Sequence, residues 1–191
     1  MHQFDTQEYI NNLQSILSEY DWQPVDILAD KIFDAWMSGS QVFLCGNGGS
    51  AANAIHLAND LIYGVSKSDG IGVRVHALTS NQAVMTCLAN DISYDDVFSQ
   101  QLKVLGNKGD ILIIFSGSGN SPNIVKAAEV AKEMGIFSSA VLGYKGGKCK
   151  SVVDLPIHFN IDDMQISEDC QQITGHILMR NLSARKISEE E

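Results

Sequence analysis

The chain has 191 residues, 45% of them hydrophobic and 19% charged, which is typical of one globular domain with a sizeable core. Its net charge of −10 at pH 7 argues against a nucleic-acid backbone or an anionic membrane surface as the main partner. The net charge does not exclude a small phosphorylated ligand, because the dipoles of one loop can outweigh a diffuse surface charge.

The start of the chain shows no basic segment followed by an apolar one, so we expect no signal peptide. No apolar run is long enough to cross a bilayer. The cysteines contain no Cys-x-x-Cys pair, and we interpret them as reduced thiols of a cytoplasmic protein. They are Cys45, Cys87, Cys149 and Cys170.

Two helices are predicted before the first strand. Apolar residues at helical spacing predict the first over residues 6–20, and Pro24 begins a second that ends at Gly39. These helices are expected to cover a face of the sheet or to pack against another subunit.

Short apolar runs and helical patterns then alternate. The predicted strands are 42–44, 73–78, 111–115, 139–142 and 152–159. The predicted helices are 51–62, 82–88, 95–105, 125–134 and 167–182, with a solvated tail at 189–191. This order predicts an α/β fold with a mostly parallel central sheet covered on both faces, in a single domain over residues 1–191.

Two similar Gly/Ser-rich segments follow two of the buried strands: Cys-Gly-Asn-Gly-Gly-Ser at 45–50 and Ser-Gly-Ser-Gly-Asn-Ser at 116–121. Each is predicted to offer backbone N–H groups and serine hydroxyls at the positive end of a helix. Because right-handed crossovers place both loops at the carboxyl edge of the sheet, they are expected to share one ligand. Neither contains Lys or Arg, so a phosphorylated small molecule held by hydrogen bonds is the first hypothesis.

These glycines also fit simple tight turns, although two serine-rich copies favour a binding site. A nucleotide cofactor is disfavoured. Gly46, Gly48 and Ala51 loosely fit the dinucleotide fingerprint, but the next predicted strand does not end on the acidic residue that this fingerprint requires. The chain has no Gly-Lys-Ser/Thr, which excludes a P-loop.

The ordered motifs resemble those of the sugar isomerase (SIS) domain family. They are Gly-Asn-Gly-Gly-Ser at 46–50, Ala-Asn-Asp-Leu at 58–61, Asn-Asp at 90–91 and the loop at 116–121. The branch they are most similar to is the phosphoheptose isomerases, which convert sedoheptulose 7-phosphate into a heptose 7-phosphate. The resemblance covers nearly the whole chain and is less specific for the exact sugar.

This resemblance implies a flavodoxin-like three-layer α-β-α sandwich and a homotetramer with active sites between subunits. It implies a phosphate site formed by Ser50, Ser116, Ser118 and Ser121. It also implies a sugar site completed by Asn47, Gly48, Gly49, Asn90 and Asp91. At Gly117, family members carry threonine, so this position contributes only its backbone donor here.

Two polar stripes mark two of the predicted helices. The first consists of Asn53, His56 and Asp60, and the second of Glu168, Gln172 and His176. Because buried carboxylates and imidazoles need partners, the two stripes are expected to face each other. The plain alternative for His56 is a structural histidine of the core or of an interface.

The resemblance places a catalytic histidine at His176. It also places a glutamate at the position of Asp60 and a glutamine at that of Glu168. Since aspartate is shorter than glutamate, the geometry of the base differs here, and we assign the base to Asp60 first and to Glu168 second. His176 is the acid partner, and an arginine that the isomerases carry is replaced by Gly64.

The family's metal-binding members suggest zinc as a candidate cofactor. The corresponding positions all carry N or O donors that can ligate Zn²⁺. They are His56, Asp60, Glu168 and His176.

The sequence thus favours a phosphosugar isomerase that interconverts a ketose phosphate and an aldose phosphate by moving a proton next to the carbonyl. Its expected partner is a small sugar phosphate, with no nucleic acid and no membrane. Two alternatives stay open: a non-catalytic scaffold, like the family members that associate with the replication initiator, and a regulatory domain that binds a sugar phosphate without chemistry.

Overall fold

The structure of the chain is a computed structural model that describes residues 5–67 and 71–190, with side chains described up to residue 185. Within these ranges, five strands alternate with helices. The strands are β1 (Val42–Cys45), β2 (Val75–Ala77), β3 (Ile111–Ser116), β4 (Phe137–Leu142) and β5 (Leu155–His158). The helices are α1 (Thr6–Glu19), α2 (Gln23–Ser38), α3 (Gly49–Ile62), α4 (Gln82–Asp91), α5 (Ser99–Leu105), α6 (Pro122–Met134), α7 (Cys149–Val152) and α8 (Met164–Glu190), with one-turn 3-10 helices at Gly64–Ser66 and Tyr94–Asp96.

All strand pairs of the central sheet are parallel, and the strand order is β2-β1-β3-β4-β5. Every residue of β1 and β3 is buried, as in parallel strands covered on both faces. This order is that of flavodoxin-like sheets, so the predicted fold class is confirmed. The winding reverses between β1 and β3, and ligands of such folds bind beyond the carboxyl ends of the strands at this point.

Two helical layers cover the sheet. On one face, α2, α3 and α8 bury a core that includes Leu28, Leu57 and Leu178. On the other face, the segments from α4 to α7 bury residues such as Phe43 and Phe98. The two leading helices lie on the first face, where the Tyr9 hydroxyl donates to Asp169 Oδ2 of α8 at 2.6 Å.

Local signals explain most helix boundaries. The Asp5 carboxylate caps α1 by accepting from the Gln7 N–H at 2.9 Å. Helix α2 has Pro24 in its first turn and ends at Gly39, whose φ is +74°. Helix α8 begins before the predicted residue 167, because Asp163 Oδ1 accepts from the Ile166 N–H at 2.9 Å and caps an earlier turn.

The segment around β5 differs from the prediction of a strand over 152–159. Residues Cys149–Val152 form α7 instead, and the strand begins at Leu155. The Asp154 carboxylate accepts from the backbone N–H of Ser138 at 2.8 Å, so a side-chain contact holds the chain beside β4 before the strand starts. Residues 189 and 190 belong to α8 rather than to a tail, and residue 191 lies outside the described residues.

Candidate active site

A cleft of about 290 Å³ lies at the carboxyl ends of β1 and β3. Both Gly/Ser loops line it, together with the start of α8, so the two loops share one cavity as their strand positions predict. Its walls are formed by Asn47, Gly48, Gly49, Ser50, Phe115, Ser116, Gly117, Ser118, Ser121, Met164 and Glu168. Of the residues predicted to bind the sugar phosphate, only Asn90 and Asp91 do not line this cleft.

The first loop bends at Gly48, whose φ of +57° favours glycine. Helix α3 begins directly afterwards, so its first N–H groups lie at the cleft, with Ser50 buried in its first turn. A Cβ on Gly49 would collide with the carboxylate of Glu168. Glycine at this position therefore lets the first loop and α8 come together.

The second loop is shaped by its own serines. Ser116 Oγ accepts from the Gly119 N–H at 3.1 Å, and Ser118 Oγ accepts from the Asn120 N–H at 3.3 Å. Ser121 is the N-cap of α6, but its side chain makes no capping hydrogen bond. The start of this helix is therefore open to an external acceptor such as a phosphate oxygen.

An amide pair ties the two loops together. Asn47 Nδ2 donates to Asn123 Oδ1, and Asn123 Nδ2 donates to Asn47 Oδ1, both at 2.9 Å. The hydroxyl of Tyr94 also donates to Asn47 Oδ1, at 3.0 Å. The Asn47 side chain thus holds the loops in place, and sequence reasoning missed Asn123 and Tyr94 because no local pattern links residues so far apart.

Asn90 and Asp91 lie in the last turn of α4 and are exposed. Asn90 Nδ2 donates to Asp91 Oδ1 at 2.8 Å, and Cys87 Sγ lies 3.4 Å from Asp91 Oδ2. Both hydrogen bonds lower the pKa of Asp91, and the bond from Asn90 has the larger effect. The pair is therefore a fixed acidic group outside the cleft of its own chain.

The two polar stripes face each other between α3 and α8. Asn53 Nδ2 donates to the backbone carbonyl of Glu168 at 2.9 Å and to Gln171 Oε1 at 3.1 Å. Further along the same helices, the Nε2 atoms of His56 and His176 are 3.1 Å apart. The expected juxtaposition of the two helix faces thus occurs within one chain.

Asp60 completes a compact cluster with these histidines. His56 Nε2 lies 3.6 Å from Asp60 Oδ2, and one ligand atom each of His56, Asp60 and His176 lies within 4.8 Å of the others. Gln172 Nε2 lies 2.9 Å from His176 Nε2. Both histidines are exposed, so the cluster is open to a ligand or to another subunit.

Glu168, the fourth predicted metal ligand, is placed elsewhere. It is not part of the cluster, and its carboxylate lies against Gly49 in the cleft. Glu168 and His176 are two helical turns apart, about 12 Å along the axis of α8. The polar residues of α8 therefore lie at two different places along the helix.

The donor atoms of the cluster suit zinc, and two of their three separations approach those of a tetrahedral site. Two imidazoles and a carboxylate are ligands typical of catalytic zinc sites, and three protein ligands leave one position open. Tetrahedral zinc with bonds of about 2.0–2.1 Å separates its ligand atoms by about 3.3 Å. The observed separations of 3.1 Å between the histidines and 3.6 Å between His56 and Asp60 are close to this value.

The charge of the cleft is unusual for an anion site. Its lining contains no lysine or arginine, and Glu168 is the charged residue in it. An anion would therefore be held by backbone N–H groups, hydroxyls and helix dipoles.

Among the described residues, no helix is both long and apolar enough to span a membrane.

Comparison with known proteins agrees with this geometry. The model of the SIS domain matches residues 7–143. The phosphoheptose isomerase of Clostridium acetobutylicum is 34% identical over 186 residues, which cover 95% of this chain and 88% of that protein.

Two solved structures share the fold. The phosphoheptose isomerase from Neisseria gonorrhoeae matches with a TM-score of 0.85 and 27% identity, covering 93% of this chain and 94% of that one. A phosphoheptose isomerase from Francisella tularensis matches with a TM-score of 0.87 over 95% and 100% of the two chains; at 22% identity, this likeness supports the fold alone. With the sequence match, these findings show that the chain belongs to the SIS domain family, in the group of the phosphoheptose isomerases.

Proposed function

We propose that the chain is a phosphosugar isomerase that interconverts sedoheptulose 7-phosphate and a heptose 7-phosphate. The observation that carries this proposal is the position of the two polar sites along the same pair of adjoining helices, α3 and α8. The serine-lined cleft lies at the starts of both helices, and the cluster of His56, Asp60 and His176 lies further along them. The first site suits a phosphate and the second suits proton transfer.

The phosphate is placed in the cleft at the carboxyl ends of β1 and β3. Its ligands are the hydroxyls of Ser50, Ser116, Ser118 and Ser121 and the N–H groups at the starts of α3 and α6. Several of these groups lie at helix N-termini, where a dianion is favoured. The energy of phosphate binding then positions the remote carbon atoms of the sugar.

The separation of the two sites fits a long sugar phosphate. His56 follows Gly49 by seven residues of α3, about 10 Å along the axis, and His176 follows Glu168 by about 12 Å along α8. An extended chain of seven carbons attached to a phosphate has a comparable length. The carbonyl end of the sugar therefore lies at the histidine cluster when the phosphate occupies the cleft.

Asp60 is the base of the proposed reaction, and His176 is its acid partner. Asp60 removes the proton next to the carbonyl, and His176 donates a proton to the oxygen, which gives an enediol-type intermediate. Glu168 is the second candidate for the base. Its position in the cleft, next to the proposed phosphate, supports Asp60 as the first choice.

Zinc held by His56, Asp60 and His176 is proposed as the alternative to these direct acid–base roles, because an imidazole nitrogen that binds a metal cannot also donate the proton. Such a metal supplies Lewis-acid polarisation of a carbonyl oxygen. Glu168 is not part of this group of ligands in the described structure, and the open position is left to water or substrate.

We also propose a cytoplasmic homotetramer in which a neighbouring subunit completes each active site. Exposed apolar side chains on and after α3 support an interface: Ile55, Ile62 and Tyr63. The exposure of Asn90 and Asp91 outside their own cleft supports a role across that interface.

All four cysteines are free, and burial raises the pKa values of Cys149 and Cys170 to about 12, which supports stable thiols.

The proposal is tested by mass-spectrometric turnover of sedoheptulose 7-phosphate with the purified protein, with and without a chelator. The variants Asp60→Ala and His176→Ala should each lose turnover while their circular dichroism stays that of the wild type. His76→Ala, a matched histidine change in β2, should keep it. Wild-type rates in both site variants would overturn the assignment.

A further inference from the structure

The wall of the phosphate cleft above Gly117 is formed by the side chain of Met164. A Cβ added to Gly117 would lie 2.7 Å from Met164 Sδ and 3.4 Å from Met164 Cε. A carbon atom does not approach a neighbour as closely as 2.7 Å, so the thioether occupies the space that any side chain at 117 requires. The Met164 side chain in this position therefore requires glycine at 117, and it must move if a larger residue is introduced there.

The second loop is tied to the end of β4 next to Met164. The carbonyl of Gly117 accepts from the Gly143 N–H at 2.9 Å, which holds the loop against the end of β4. Tyr144 Cε2 lies 3.7 Å from the same added Cβ and limits the space on another side. A larger residue at 117 must therefore displace the methionine side chain.

Met164 itself is held at a fixed start of α8. Asp163 caps this helix through the Ile166 N–H, and the Ser167 hydroxyl donates to the Asp163 carbonyl at 2.6 Å. The methionine backbone is thereby fixed next to the cleft, while its side chain stays 38% exposed at the opening. The thioether is the part of this wall that can adapt, since methionine is unbranched and flexible.

We propose that Met164 is a specificity-determining residue of the phosphosugar site and that it functions as a pair with Gly117. The thioether replaces a side chain at position 117 as the wall beside the phosphate. This inference rests on the proposed function for its ligand, and on the packing alone for its geometry.

The chemistry of this wall selects for shape rather than for hydrogen bonds. A thioether is only a weak acceptor and donates nothing, so it packs against the C–H groups of the sugar next to the phosphate. Met164 precedes His176 by twelve residues, about 18 Å along α8, and so it lies far from the proton transfer. Changes at Met164 should therefore alter KM and phosphate affinity much more than kcat.

A double-mutant cycle tests the pair. The proteins are the wild type, Gly117→Thr, Met164→Ala and the double variant; threonine is chosen because it adds a branched side chain where the space is occupied by Met164. The first readout is the dissociation constant of inorganic phosphate by calorimetry. We expect it to rise about ten-fold or more in Gly117→Thr and about three-fold in Met164→Ala, and to return to within about three-fold of the wild type in the double variant, because contacting residues are non-additive.

The KM for sedoheptulose 7-phosphate should rise in the same order and by a larger factor than kcat falls, because only part of the phosphate-binding energy positions the sugar. Met37→Ala, an exposed methionine at the end of α2, is the matched control and should change neither constant. Additive effects in the cycle, or wild-type phosphate affinity in Gly117→Thr, would overturn the pair.

Thermal unfolding midpoints of the same four proteins separate this inference from the proposed function. Gly117→Thr should lower the midpoint, and the added Met164→Ala should restore most of it. If the wild type neither binds phosphate nor turns over the sugar, the proposed function is wrong. The thermal midpoints of the four proteins would then still test the contact between Gly117 and Met164. Without recovery in the double variant, the pairing itself is wrong. Gly117→Ala, which introduces only the Cβ, provides a milder variant if Gly117→Thr does not fold.

Discussion

His56 and His176, 120 residues apart in sequence, bring their Nε2 atoms to within 3.1 Å of each other. Each belongs to a helix that follows a strand of the central sheet, and the Asn53 side chain joins these two helices one turn before His56. The carboxylate of Asp60 adjoins the pair at 3.6 Å from His56. The fold therefore builds one group of two imidazoles and a carboxylate from two distant segments.

Removal of the proposed base should abolish turnover without unfolding the chain. Asp60→Asn keeps the size of the side chain and removes its charge, and we expect kcat to fall by about 10²–10⁴-fold, the usual contribution of a positioned acid or base. His176→Gln should cause a loss of similar size. Steady-state kinetics with sedoheptulose 7-phosphate measure both effects, and phosphate affinity serves as the control because it should change little.

Glu168→Gln distinguishes the two candidate bases. The carboxylate of Glu168 lies in the proposed phosphate cleft, so its neutral amide should tighten phosphate binding roughly three- to ten-fold by removing charge repulsion. We expect kcat to stay within about ten-fold of the wild type, since Asp60 is the proposed base. Calorimetry with phosphate and kinetics with the sugar measure both quantities. A loss as large as that of Asp60→Asn would instead identify Glu168 as the base.

Zinc content should depend on the three clustered residues. The zinc alternative predicts about one zinc ion per chain in protein purified without chelator. It also predicts a loss of zinc affinity larger than about 100-fold in His56→Ala, since one of three direct ligands is removed and even an outer partner of a ligand contributes roughly 10–100-fold. Elemental analysis after dialysis against zinc buffers measures this. Glu168→Ala is the informative comparison, because it leaves the cluster intact and should retain the metal. Equal loss in Glu168→Ala would show that Glu168 also ligates it.

Glycine at position 119 is required by both its backbone angle and its surroundings. Its φ is +64°, and a Cβ there would collide with the carbonyl oxygen of Gly146, in the turn that supports the second loop. We expect Gly119→Ala to lower the free energy of unfolding by about 3 kcal/mol and to weaken phosphate binding. Gly39→Ala is the matched control, since its φ is +74° with nothing within 4 Å of an added Cβ. It should cost only about 1 kcal/mol, from backbone strain. Denaturant unfolding measures both changes. Equal losses of unfolding free energy in Gly119→Ala and Gly39→Ala would contradict the collision with Gly146.

The amide pair between the loops should contribute to both stability and binding. Asn123 is 1% exposed, and its replacement by alanine leaves the Asn47 amide without that partner. We expect Asn123→Ala to lower the free energy of unfolding by about 1–3 kcal/mol and to weaken phosphate binding. Tyr94→Phe removes one hydrogen bond from an exposed side chain and should cost about 1 kcal/mol or less. If chemical denaturation gives equal stability for Asn123→Ala and the wild type, the amide pair has no structural role.

The sequence predicts the architecture well because its signals are local. Alternating buried runs and helical patterns identify all five strands, and the crossover rule places both Gly/Ser loops at one edge. The same patterns predict which face of α3 and of α8 is polar. The observed boundaries differ from the predicted ones where a single side chain fixes the start of an element. Asp163 does so before α8, and Asp154 does so before β5.

The site is less predictable, because its details depend on contacts between distant segments. A stripe of residues spaced four apart shows which face of a helix is polar, but not that Glu168 and His176 serve places about 12 Å apart. The contacts of Asn123 with Asn47, and of Met164 with Gly117, join segments more than forty residues apart and leave no periodic pattern. Such contacts become visible only once the fold brings the segments together.

The most direct test of the central claim is turnover of sedoheptulose 7-phosphate in D₂O, followed by NMR and mass spectrometry. An enediol mechanism at the cluster of Asp60 and His176 predicts an aldose phosphate product with deuterium at the carbon next to its carbonyl. The wild type should form this product, and Asp60→Asn should not. A wild-type protein that binds the sugar phosphate but forms no product and exchanges no deuterium would contradict the account and indicate a binding protein without chemistry.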